Sequence, residues 1–120
     1  MRNRNWHILR EEGDLGPVIT LTRERPARLD VVAETDLPPG DPIRLAHQIR
    51  QDMWRVLQSM RGFSPVVRLT ATAAGWRVAA GGRVLGKIPP ATAGQIQALL
   101  ENQSKRSRWV AQANRRGGQK

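Results

Sequence analysis

Cysteine is absent from this 120-residue chain. That excludes a disulfide framework, a thiolate nucleophile and a thiolate metal site, and it suits a reducing cytoplasm. Histidine is scarce: His7 and His47 are the only two. No H-E-x-x-H, G-x-S-x-G or G-x-x-x-x-G-K pattern occurs, so the usual zinc, serine-hydrolase and P-loop constellations are missing. No apolar run approaches the roughly 20 residues of a membrane span, and the N-terminus lacks the apolar core of a signal peptide. The expectation is a cytoplasmic, non-enzymatic protein with no membrane contact, no metal and no cofactor.

Carboxylates are the most uneven scarcity. After Asp52 the only acid is Glu101, against nine arginines and three lysines. The residues up to Asp52 are nearly neutral, so almost all of the net charge of +10 sits in the second half. A GC-rich genome explains why arginine outnumbers lysine. It does not explain the loss of acids. Such asymmetry focuses positive potential and points to an anionic partner, nucleic acid first and an acidic protein surface second. Asp30, Glu34 and Asp36 are the acidic group considered for a metal, and a solvated strand edge accounts for them better than a metal site.

At this length one domain over residues 1–120 is expected. Its ends, 1–5 and 115–120, read as disordered, and its halves as sub-units about 6–62 and 63–114. The clearest element is a helix over 42–61. Asp41 suits the N-cap, Pro42 the first helical position and Gly62 the stop. Leu45, Ala46, Ile49, Met53, Val56, Leu57 and Met60 form one apolar stripe.

Before the helix, Trp6–Arg10 suggests a short strand and Glu11–Asp14 a turn. Val18–Thr22 and Ala27–Thr35 read as strands, the latter with Leu29, Val31 and Ala33 on one side. After it, three strands are expected: Val66–Ala73, Trp76–Ala80 and Arg83–Ile88, with Gly81-Gly82 as a hairpin turn. A helix follows over Ala91–Gln103 with Ile96, Leu99 and Leu100 inward, then a kink or second short helix across Ser104–Asn114. Pro17-Val18…Leu21-Thr22 and Pro65-Val66…Leu69-Thr70 lie 48 positions apart, a weak sign of an internal repeat. The fold class is α+β: an antiparallel sheet with helices on one face, built as two β-then-α units.

Alternation in the second half sends Arg68, Thr70 and Thr72 outward, with Arg77, Arg83 and Lys87 beside them and no carboxylate among them. Like charges side by side on a sheet cost stability, and a bound phosphate would relieve that cost. The plainer reading is a solvated face with screened charges. A second basic group, Lys105, Arg106 and Arg108 with Arg115 and Arg116, suits phosphates along a backbone, with Trp109 as a stacking residue. Its plainer reading is a helix whose cations favour the helix dipole. A third strip is His47, Arg50, Trp54 and Arg61 on the long helix, where partial burial of Trp54 is the plainer account.

The run Val67-Arg68…Gly75-Trp76-Arg77-Val78…Gly82-Arg83-Val84-Leu85-Gly86, followed by a helix rich in small residues, resembles a known DNA-binding module. This is the three-stranded-sheet domain of plant ethylene-response factors and of phage-integrase arm-binding domains. The resemblance covers residues 66–100. It departs from the family at Pro89-Pro90 and in the lack of acidic residues in the following helix. It implies a sheet lying in the major groove of DNA, with Arg68, Trp76, Arg77 and Arg83 at the contacting positions. DNA is therefore favoured over RNA. The rival is a protein-interaction module or inhibitor docking on an acidic partner, marked by an exposed apolar patch around Trp6 or Trp54.

Overall fold

Asp41 fixes where the long helix begins. In the computed structural model, which describes residues 5–115, its Oδ1 accepts the backbone N–H of Ile43 at 2.9 Å and of Arg44 at 3.2 Å. The helix, α1 (Pro42–Leu57), buries Leu45, Ala46, Ile49, Met53 and Leu57. It stops a turn before Gly62, and the expected stripe is correspondingly shorter: Val56 is 40% exposed. Gly62, with φ of +71°, sits in the turn that leads into the next strand. The ends expected to be disordered lie outside the described residues, apart from Asn5 and Arg115, and Arg116 lies outside with them.

Five strands form one antiparallel sheet: β1 (His7–Gly13), β2 (Gly16–Thr22), β3 (Val31–Leu37), β4 (Phe63–Thr72) and β5 (Gly75–Val84). Their order is β1-β2-β4-β5-β3. The expected turn at Glu11–Asp14 is the end of β1, which pairs with β2 along its whole length, Gly13 opposite Gly16. β3 starts later than expected because residues 23–30 are spent crossing from β2 to the far edge. The two Pro-Val…Leu-Thr segments lie in β2 and β4 as antiparallel neighbours, Leu21 opposite Val67 and Val18 opposite Thr70.

The second half corrects the three-strand reading. β5 runs straight through Gly81-Gly82, and residues 85–88 leave the sheet. Neither glycine has the positive φ of a hairpin turn. Both are there because backbones close in: a Cβ on Gly81 would lie 1.8 Å from the Val31 carbonyl oxygen, and one on Gly82 2.1 Å from that of Ser64. The true turn is Ala73-Ala74, between Thr72 and Gly75. The strand that would be third in the resembled module is thus the end of β5, and the third partner is β3, from before the helix.

Alternation sorts the sheet into two faces. Ile8, Leu21, Val67, Ala80 and Ala33 form one row across all five strands. That row joins Leu45, Ile49 and Met53 of α1 in a single core. Two more helices complete it: α2 (Thr92–Leu100) through Ile96, Leu99 and Leu100, and α3 (Gln103–Ala113) through Trp109 and Ala113. Asn102 separates them and caps α3, its Oδ1 accepting from Lys105 N at 3.0 Å. All three helices cover the same face. The opposite face carries Thr20, Arg68, Ala79 and Glu34 in one row and Val18, Thr70, Arg77 and Asp36 in the next.

Candidate nucleic-acid interface

The sheet face opposite the helices is less cationic than its sequence suggested. Arg68, Thr70, Arg77 and Arg83 do sit on it. The acids come from β3, which docks beside β5 and sets Glu34 and Asp36 against Arg77, at 3.0 and 3.2 Å. Both hydrogen bonds, Asp36 first, raise the affinity of Arg77 for its proton. Arg83 gives Glu24 two bonds, at 3.0 and 2.6 Å, and the Gly62 carbonyl a third. Only 15% of its side chain stays exposed. The hydrogen bond from Arg83 holds the Glu24 carboxyl below its ordinary value. Arg68 has no carboxylate partner among the described residues; its Nε donates to Thr20 Oγ1 at 3.2 Å. Lys87 lies past the end of β5, off the sheet, in a groove with Val56, Arg61 and Leu85. The expected array of cations without carboxylates is therefore corrected: a strand distant in sequence neutralises Arg77, and the β2–β3 connection neutralises Arg83.

The two tryptophans singled out for stacking have other partners. Trp109 is fully buried and donates its Nε1–H to Asp52 Oδ2 at 2.7 Å. Trp76 packs against the core and donates to the Gly40 carbonyl at 2.9 Å. A ring enclosed by core atoms offers no face to a base, which removes Trp109 as a stacking residue. Arg106 is also turned into the structure, bonding Thr35 Oγ1, the Leu100 carbonyl and the Asp36 carbonyl at 2.6–2.8 Å. Asp30, Glu34 and Asp36 serve Arg28, Arg77 and the Val84 N–H. Among the described residues no cluster of His, Cys, Asp and Glu has the grouping of a metal site.

The remaining cations converge elsewhere. α1 and α3 run antiparallel: Asp41 N bonds Ala113 O, Gln48 Nε2 bonds Trp109 O, and Asp52 takes Trp109 and Arg108. Helical spacing of three and four brings Arg44, His47, Gln48 and Gln51 to one edge of that seam, and Arg108, Gln112 and Arg115 to the other. They line an open groove of about 660 Å³, and among the described residues no carboxylate lines it. Asp52 lies behind Arg108, 3% exposed and also paired with Arg55. Arg44 spans the groove to the Arg115 carbonyl. Lys105 stands one turn before Arg108 on α3. Burial, and then the Arg50 charge, hold the His47 imidazole below its ordinary value, so it is neutral at pH 7. Its Nδ1 accepts from Arg50 Nη2 at 2.9 Å, which puts the proton on Nε2.

Arg108 and Arg115 were legible as site residues from the basic run. Arg44, Gln48, Gln51 and Gln112 were not, because each half-groove is an ordinary polar helix face until α3 is laid along α1. Comparison with protein families, curated proteins and solved structures finds no match to this chain.

Proposed function

We propose that this is a small basic nucleic-acid-binding protein with no catalytic role, and that its contact surface is the α1–α3 groove. One observation carries the reading: Arg44 and Arg115, with Arg108 beside them on its buried partner Asp52, converge on a groove with no carboxylate lining it among the described residues. The glutamines beside them can donate to phosphate oxygens, and arginine can do so in bidentate fashion. The sheet face, with Arg77 and Arg83 ion-paired, contributes Arg68 at most.

The test is fluorescence anisotropy with labelled single-stranded DNA, duplex DNA and RNA at several salt concentrations. Two phosphate contacts on a single strand, at Arg44 and Arg115, give a log–log salt slope of about −1.4. Binding that ignores salt would overturn the groove reading.

A second reading is favoured by one feature. Val56 and Leu85, 40% and 62% exposed, share a groove of about 450 Å³ with Arg61 and Lys87. An apolar patch with a cationic rim suits an acidic, amphipathic protein segment. If no nucleic acid binds, this surface becomes the site, and Leu85→Asp is the variant that closes it.

A further inference from the structure

Beyond the groove, the other end of α1 holds a smaller cavity. Trp6, Arg23, Arg50, Trp54, Phe63 and Pro65 enclose about 290 Å³, and among the described residues no carboxylate lines it. The guanidinium carbons of Arg23 and Arg50 lie 4.9 and 4.7 Å from the Trp6 ring centroid. Cation–π attraction helps hold each arginine there, but it leaves two like charges beside one ring with no carboxylate partner among the described residues. Arg50 is worse placed. Its Nε is buried without a hydrogen-bond partner among the described residues. Burial, and then the Arg23 charge, lower the affinity of Arg50 for its proton. The guanidinium makes one hydrogen bond, from Nη2 to His47, and a phosphate in the cavity would supply the counter-charge that it lacks among the described residues.

The cavity wall completes the specification. Trp54 is 45% exposed, a large flat indole open to solvent beside the two cations. Phe63 and Pro65 add apolar surface. A fitting ligand carries negatively charged acceptor oxygens at one end and a flat body at the other. The volume suits one nucleotide and is too small for a base pair.

We infer that this cavity binds a single unpaired nucleotide, with its base on Trp54 and its phosphate on Arg23 and Arg50. The inference deepens, and rests on, the nucleic-acid reading of the groove. The two sites are joined on α1: His47 lines the groove, bonds Arg50 and meets the Trp6 ring edge-on at 6.5 Å between centroids. A strand whose phosphates follow the groove delivers its next base to Trp54. Duplex DNA cannot do so without unstacking a base. The protein therefore prefers single strands.

The test is an NMR titration with 2′-deoxyadenosine 5′-monophosphate, following the indole N–H signals of the four tryptophans. Deoxyadenosine and inorganic phosphate are titrated alongside. The nucleotide should shift the Trp6 and Trp54 signals in a saturable way and leave Trp76 and Trp109 in place. Arg23→Ala and Trp54→Ala should each weaken binding about tenfold, the loss of one stacking or charge contact. The Arg44→Ala/Arg115→Ala variant should bind the mononucleotide as the wild type does. Absence of a saturable shift overturns the inference, as does inorganic phosphate binding as tightly as the nucleotide. Groove-dependent binding of an oligonucleotide without mononucleotide binding overturns the cavity and keeps the groove. Mononucleotide binding without any gain from a longer strand keeps the cavity and overturns the groove.

Discussion

Asp52 and Trp109 meet beneath α3: a carboxylate only 3% exposed accepts the indole N–H of a fully buried tryptophan at 2.7 Å. Arg108 and Arg55 also reach this carboxylate. One buried acid thus locks α3 to α1 and holds one wall of the basic groove in place. Asp52→Ala leaves the indole N–H buried without an acceptor and should cost about 3 kcal/mol. Asp52→Asn keeps an acceptor and should cost less. Urea unfolding followed by tryptophan fluorescence separates the two. Equal, negligible losses would mean the contact does not hold the helices together.

Stability should fall with acid over two pH windows. Burial, and then Arg50, lower His47 from its ordinary value of 6.5. The unfolded chain therefore binds a proton there first, and stability falls as pH drops below about 6.5. Asp30 and Glu24 are also lowered, Asp30 mainly by the Val84 N–H and Glu24 mainly by Arg83. Their contribution is present above the ordinary carboxylate values and is lost as pH falls through the lower folded values. Unfolding midpoints measured from pH 8 to pH 3 should show both windows. His47→Gln should remove the first and leave the second. A first window unchanged in His47→Gln would assign it to another group.

Two glycines should respond oppositely to alanine. Gly94, near the start of α2, has open space where a Cβ would stand. Gly94→Ala should stabilise by up to about 1 kcal/mol, through helix propensity alone. Gly81→Ala would push a methyl into the β3 backbone and should cost at least about 3 kcal/mol. Thermal unfolding of the two variants decides it, and a tolerated Gly81→Ala would contradict the β3–β5 pairing.

These residues also show what the sequence could and could not disclose. α1 was legible because its cap, first-turn proline and inward stripe are local signals, as were Val31 and Ala33 of β3 and the inward residues of α2. The Gly81-Gly82 pair misled because close backbone approach and turn formation call for the same residue. The reason for Gly82 is Ser64 of β4, and that for Gly81, β3 at the far edge of the sheet, lies about 50 positions away in the chain. The same strand supplied the acids that neutralise Arg77, so the charge of the sheet face could not be read from its own residues. Asp52 read as surface because it falls on the polar side of α1. Only the docking of α3 buries it.

Removal of groove cations against removal of sheet cations is the most direct test of the central claim. Anisotropy titrations on single-stranded DNA would compare wild type with Arg44→Ala/Arg115→Ala and Arg77→Ala/Arg83→Ala at one low salt concentration. The groove variant should lose at least about tenfold in affinity and shed roughly 1.4 units of salt slope, two phosphates' worth. The sheet variant, provided it stays folded by circular dichroism, should bind as the wild type does. The reverse pattern, with the sheet variant losing affinity and the groove variant unaffected, would contradict the groove as the contact surface.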